Sequence, residues 1–420
     1  MLTTPAPTGR LERSRPTLSS PMLPWLGIGA AALLFAVFGA GYDIVTPFAQ
    51  APDEGSHIGY AQLLAQHFQL PVGQPERQQP PLYYLLGALL LKAGAGSSSL
   101  EALAIVFGML TVFVAAFCAR EIWPDRPSRW VLVALLVGAI PQVQFIAAHA
   151  SNDSLTMLLA GLLLLLLIRV IKRAPGWREV VLIGLAISAS LMVKETIYYL
   201  AATLAIAALI SVKGRRTRLL ALVALAGIPL LLTGWWFVRN LTTFGHLLPD
   251  LRPVYTAHPN HLILDATQLR TWSQFFFQSF FARLGNMSSL VTVGTHPYVI
   301  YHLLELLTGF VIVAGALAAA EGARRSTSLT RVITVLLVAI PLVALAQAVL
   351  NSFFIDDQPQ GRYLFLALPA MAIIAVFGID HWADRLKPLT RAAVWGAFVA
   401  AALAFDVLSL ATASRLFGAF

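Results

Sequence analysis

The sequence predicts an all-α polytopic membrane protein with about eleven transmembrane helices, and three observations carry that prediction. Hydrophobic residues make up 58% of the 420 positions and charged residues 12%, which leaves too little polar side chain to cover a soluble surface. Apolar runs of about 20 residues, the length that spans roughly 30 Å of hydrocarbon, recur along almost the whole chain. Lys and Arg gather in short clusters between those runs, so the net charge of +9 reports topology rather than an affinity for nucleic acid.

The N-terminal segment 1–21, with "TTPAPTGRLERSRPTLSSP", is basic, rich in Pro, Ser and Thr and without apolar periodicity. It is expected to be a disordered cytoplasmic tail. Residues 22–420 are expected to form one transmembrane domain. By length, spans fall at about 22–42, 99–119, 130–149, 152–171, 179–194, 197–212, 218–238, 299–320, 331–350, 363–380 and 391–413. The first run exceeds the apolar core of a signal peptide and follows a long tail, so a retained anchor is expected.

Charge fixes the orientation. With the N-terminus inside, the inner loops hold Arg10, Arg13, Arg15, Arg120, Arg126, Arg129, Arg169, Lys172, Arg173, Arg178, Lys213, Arg215, Arg216, Arg218, Arg324, Arg325, Arg331, Arg385, Lys387 and Arg391, which is 20 of the 29 basic residues. An odd number of spans then puts the C-terminus outside. The run "PLYYLLGALLL" at 81–91 is too short to cross and is expected to be re-entrant or interfacial, with Tyr83 and Tyr84 at the headgroup level. Acidic residues collect on the outer side, including Asp43, Asp53, Glu54, Glu76, Glu101, Asp153, Glu195 and Asp406.

Two external loops stand out by length, about 43–98 and 239–298. The first opens with Pro52-Asp53-Glu54 and continues with Ile58, Ala61, Leu64, Ala65 and Phe68 at helical spacing, opposite His57, Gln62, Gln66 and His67. That pattern predicts an amphipathic helix lying on the membrane surface. The second interleaves Arg239, Arg252, His258, His261, Asp265, Arg270 and Arg283 with Trp272 and Phe275–Phe277, which suits an amphiphile with an anionic head. No G-x-x-x-x-G-K-[ST], no G-x-G-x-x-G and no repeat of fixed period occurs, and Cys118 is the single cysteine.

In order along the chain, "PDE", "QPPLYYLL", "HASNDSL", "LMVKET", "WWFVRN…FG" and "QGRYLF" resemble the GT-C superfamily of integral-membrane glycosyltransferases. The resemblance is to the branch of protein O-mannosyltransferases and lipid A aminoarabinose transferases, and covers about residues 22–380. It implies transfer of a sugar, with inversion, from a polyprenyl-monophosphate donor to a lipid, glycan or protein acceptor on the outer face of a bacterial inner or plasma membrane. The matching positions for the general base are Asp53 and Glu54, and for a second acid Asp153. Those for the donor phosphate are Lys194 and Arg362, with Tyr363, Arg239 and Arg283 as further candidates. Larger members carry a soluble C-terminal domain, which this chain is expected to lack.

The chemistry is consistent with that pattern, because displacing a phosphate from a sugar carbon needs a carboxylate to take the acceptor's proton and cations to stabilise the leaving group. Partial desolvation is expected to raise the pKa of Asp53 toward neutrality. Each residue also fits a plainer role. Asp53 and Asp153 both sit where a helix N-cap would, Arg362 fits snorkelling to the headgroups, and Arg239 and Arg283 fit loop anchoring. His57, one turn after Asp53, could share a divalent metal with it, although two ligands do not make a site and a hydrogen-bonded histidine is the alternative. A secondary transporter and a polysaccharide polymerase or ligase remain as other classes. The transporter would place its charges near the bilayer midplane, and the polymerase would use arginines of a large loop.

Overall fold

The computed structural model describes residues 22–248, 266–291, 296, 298–323, 328–354 and 358–418. It is built almost wholly of helix, the form in which a backbone in hydrocarbon satisfies its own N–H and C=O groups. Tail residues 1–21, and Arg252, His258, His261, Asp265, Arg324, Arg325, Asp356 and Asp357, lie outside the described residues.

Among the described residues, eight helical segments are long and apolar enough to cross a membrane. They belong to α1 (Leu23–Val45), α4 (Ser98–Ile122), α7 (Asn152–Lys172), α10 (Arg215–Phe244), α12 (Val299–Ala323), α13 (Ser328–Phe354), the 3₁₀ segment Gly361–Ala367 continuing into α14 (Leu368–Ala383), and α15 (Pro388–Phe417). The expected span at 130–149 is a broken one, α5 (Pro127–Gly138) and α6 (Pro141–Ala147), bent by 65° at Ala139–Ile140. Pro141 opens α6 and cannot continue a helix from α5. Two other expected spans, at 179–194 and 197–212, are short. They form α8 (Trp177–Leu191) and α9 (Tyr198–Ser211), of 15 and 14 residues. The apolar run between them is interrupted by Lys194 and Glu195, where the chain passes through the 3₁₀ turn Glu195–Ile197.

The segment between α1 and α4 carries α2 (Glu54–His67) and α3 (Leu82–Lys92). At 11 residues α3 is too short to span, as its sequence predicts. The tyrosines expected at the headgroups are instead fully buried. Tyr84 stacks on Tyr60 with ring centroids 3.9 Å apart, and its hydroxyl lies 2.8 Å from His57 Nδ1. The expected surface helix α2 therefore packs inward and buries Glu54 and His57, while Phe68 stays exposed. Aromatic stacking on α3 wins over the interface because it gives these rings both apolar contact and a partner for the tyrosine hydroxyl.

The two ends of the bundle differ in charge. Acids and cations from α2, α7 and the segments before α9 and α14 meet at one end. At the other, where α4, α7 and α14 finish, Arg169 Nε donates to Glu121 at 2.7 Å, and buried Asp380 accepts from Arg129 Nε at 2.6 Å and Arg391 Nη2 at 2.5 Å. Asp380 thereby joins α5, α14 and α15. Asp380→Asn keeps the shape but leaves Arg129 and Arg391 with Asp384 as their remaining counter-charge, so it is expected to destabilise the protein by on the order of 1 to 3 kcal/mol. Thermal unfolding in detergent measures this.

Candidate active site

Local sequence explains why Asp53 and Asp153 are available for chemistry. Asp53 occupies the N-cap position of α2, but its side chain makes no capping bond. Its backbone is left-handed, at φ 62°, a conformation that Asp and Asn tolerate better than other non-glycine residues. The carboxylate turns instead toward Arg362, whose Nη2 donates to Oδ2 at 2.9 Å. Asp153 is likewise relieved of capping: Ser151 Oγ accepts the Asp153 backbone N–H at 3.2 Å, which starts α7. Asp153 Oδ1 accepts from Lys194 Nζ, and its Oδ2 lies 3.6 Å from Arg362 Nη1.

Arg362 is held by an unusually close backbone crossing. A Cβ on the preceding Gly361 would lie 2.4 Å from Phe280 N and 2.5 Å from Phe276 O, both backbone atoms of α11 (Ala266–Phe281). Ser279 Oγ accepts the Gly361 N–H at 2.8 Å. Arg362 then projects between Asp53 and Asp153, buried, with its Nε left without a hydrogen-bond partner. A cleft beside it is lined by Asp153, Thr156, Lys194, Thr196, Arg362 and Tyr363. An arginine fork and an ammonium facing one cleft form an arrangement that can bind an oxyanion.

The electrostatics of Asp53 correct one expectation. Burial pushes its carboxyl up, but the charge and hydrogen bond of Arg362, helped by His57 and Lys194, outweigh burial and leave it below the usual carboxylate range. Asp53 is ionised at neutral pH, with its basicity held down by Arg362. Glu54, its neighbour in sequence, faces elsewhere. Glu54 is buried, its Oε2 accepts the Ala49 N–H at 2.8 Å, and burial holds its carboxyl above the ordinary range.

The remaining candidates have structural partners. Arg239 donates to the Pro71 carbonyl and to Asn240 Oδ1 at 3.0 Å, and lies over the rings of Trp236 and Phe244, so it anchors the loop after α2. Arg283, in β1 (Arg283–Leu284), donates to Met287 O and Gln278 Oε1 and lies 4.0 Å from the Phe275 ring centroid. It braces the hairpin with β2 (Ser289–Leu290). Tyr363 donates to Gln358 Oε1. Burial pushes His57 down to about 4, so it is neutral at physiological pH. Among the described residues no group of three or more His, Cys, Asp or Glu is placed to hold a metal ion. The donor set does not fit one, because both aspartates already face side-chain cations.

Sequence reasoning passed over Glu76, which lies in the Pro-flanked stretch "QPERQQPP" with left-handed backbone at φ 63°. Burial, then the charge of Asp53, pushes Glu76 up to about 7, offset in part by Lys194 and Arg362. A raised carboxyl is protonated in the folded protein over a range where the unfolded chain is ionised, so its unfavourable contribution to stability develops as pH rises from about 4.5 to 7. As pH passes 7, a new negative charge appears beside the cleft. The apparent affinity for an anionic ligand is expected to fall above about pH 7, and Glu76→Gln to remove that fall. Binding measured from pH 6 to 8.5 checks both.

With the geometry established, comparison with known proteins places the chain by fold. The model of a domain of unknown function, DUF8201, matches residues 83–279. Comparison with curated proteins finds no match. The Archaeoglobus fulgidus oligosaccharyltransferase tethered with an acceptor peptide aligns with a TM-score of 0.56 at 12% identity, over 94% of this chain and 55% of that one. The same enzyme in complex with Zn and sulfate aligns at 0.53 and 13% identity, over 91% and 53%. ArnT from Cupriavidus metallidurans bound to undecaprenyl phosphate aligns with a TM-score of 0.41 at 14% identity, over 88% of this chain and 82% of that one. The chain shares the fold of the membrane part of the oligosaccharyltransferase as far as the alignment reaches, and spans about half its length.

Proposed function

We propose that the protein is a membrane glycosyltransferase that moves a sugar from a polyprenyl-monophosphate donor to an acceptor hydroxyl or amine on the outer face, with inversion. The observation that carries this reading is one cleft lined by Asp153, Lys194 and Arg362 at one end of an apolar helix bundle, with Asp53 paired to the same Arg362.

In this mechanism the donor's phosphate enters the cleft and accepts from Arg362 and Lys194, with its polyprenyl chain in lipid. Arg362 then shares its charge between phosphate and Asp53, so the basicity of Asp53 rises when donor is present. The acceptor oxygen or nitrogen attacks the anomeric carbon from the face opposite the phosphate. As the new glycosidic bond forms, its proton passes to Asp53 and the carbon–oxygen bond to phosphate breaks. The electron pair leaves with polyprenyl phosphate, and Arg362 and Lys194 stabilise the added charge. Asp153 keeps both cations in place without meeting the acceptor.

The test compares outer-surface lipids, glycans and proteins with and without this chain by mass spectrometry, followed by transfer with purified protein and a polyprenyl-phosphate sugar. One sugar missing from one class of acceptor, restored by wild type and not by Asp53→Asn, supports the proposal. Counterflow of labelled sugar with no new glycosidic bond would make the protein a transporter instead.

A further inference from the structure

A second polar cluster lies inside the bundle, away from the cleft and unused by the proposed chemistry. Asp406 and Ser409 sit three residues apart on one face of α15, Tyr42 near the end of α1, and Gln144 on α6, the second half of the broken span. Asp406 and Gln144 are each 1% exposed, and Tyr42 and Ser409 0%. Tyr42 faces Asp406 and Ser409, and Asp406 faces Gln144. Yet none of Tyr42 Oη, Gln144 Oε1, Asp406 Oδ1 and Ser409 Oγ makes a hydrogen bond of good geometry, the Ser409–Tyr42 and Gln144–Asp406 contacts falling short of it. Leaving a buried oxygen poorly paired in a bundle is costly, and four such oxygens in neighbouring pairs on three packed helices offer a site for a guest.

The surroundings hold those oxygens in place. A Cβ on Gly41, next to Tyr42, would meet Leu410 at 2.8 Å, so α1 and α15 approach closely beside the cluster. Gln144 Nε2 donates at 2.7 Å to the carbonyl of Gly138, at the break between α5 and α6. That bond fixes the amide, whose Oε1 is buried. Broken helices inside membranes are places where oxygen atoms freed from regular packing coordinate ions.

We propose that Asp406, Ser409, Gln144 and Tyr42 bind a monovalent hard cation of sodium's size, joining α1, α6 and α15. Four oxygen donors without sulfur or imidazole suit a hard cation. One carboxylate among neutral oxygens balances one positive charge, whereas a divalent ion would leave a net charge buried in the bundle.

The test is the thermal unfolding midpoint of the full chain in detergent, in NaCl against choline chloride at equal ionic strength. The expected result for wild type is a rise of about 2 °C or more in sodium, saturating with concentration. Asp406→Asn is expected to abolish the rise, and Ser409→Ala to shift its half-saturating sodium concentration several-fold upward. Asp53→Asn, at the other site, is expected to leave it unchanged. Equal midpoints in the two salts would overturn the proposal and leave the cluster to water. A rise that survives Asp406→Asn, or one that is lost in Asp53→Asn, overturns it too, since the ion would then sit elsewhere. Should Asp406→Asn fail to fold, an unshifted half-saturation in Ser409→Ala decides against it.

Discussion

Asp53→Asn is expected to lower the transfer rate by on the order of 10² to 10⁴ while the protein still folds and binds donor. Asn keeps the size of the side chain and tolerates the left-handed backbone at φ 62°, so the start of α2 is preserved. Arg362 retains Asp153 as a partner, so the substitution leaves no cation stranded. Only the ability to accept a proton is removed. The partner experiment uses Arg362→Lys and Arg362→Ala. Lysine keeps the charge but lacks the fork that serves Asp53 at 2.9 Å and faces Asp153 at 3.6 Å, so activity falls with Lys and falls further with Ala. A donor with a better leaving group recovers part of the rate if Arg362 acts in the transition state. Full activity of Asp53→Asn alongside a dead Glu54→Gln would move the base to Glu54.

The second large effect is expected at a residue that touches no substrate. In Gly361→Ala the new methyl carbon meets the backbone of α11 at 2.4 and 2.5 Å, and backbone cannot rotate away. The segment bearing Arg362 must shift, and a displacement of about 1 Å at a positioned charge costs roughly 100-fold in rate. The control is Gly396→Ala on α15, where an added Cβ meets nothing within 4 Å. That change is expected to leave activity intact and to stabilise the helix slightly. Equal activity in both variants would show that the crossing at Gly361 does not set the position of Arg362.

The membrane class was legible because it depends on composition and run length, which are local properties. Eight of the expected spans appear as long apolar helices, and the run at 81–91 forms a helix of only 11 residues. Helix breaks were less legible. The bend before Pro141 sits inside a run that is apolar on average, so a length rule passes over it, whereas the turn at Glu195–Ile197 falls in the gap the sequence leaves between 179–194 and 197–212. Burial within the segment between α1 and α4 was also hidden. Tyr83 and Tyr84 carry the same side chains whether they face headgroups or a neighbouring helix, and only packing on α2 decides between the two.

The sequence by itself determined that this chain lies in a membrane and which residue types it could bring to an oxyanion: Asp53, Asp153, Lys194 and Arg362 were all candidates before any coordinate. Tertiary structure alone decided which of them meet. Asp53 and Arg362 are 309 residues apart, and Asp153 and Lys194 41 apart. No periodicity links such positions, because contact between distant segments is set by helix packing and not by spacing along the chain. The same cause separates the neighbours Asp53 and Glu54, which face different partners. It also assigned Arg239 and Arg283 to loop carbonyls rather than to the cleft, and brought Glu76 beside it. Even the sign of the pKa shift at Asp53 was a tertiary property: desolvation is common to any buried acid, but the arginine that outweighs it arrives from the far end of the sequence.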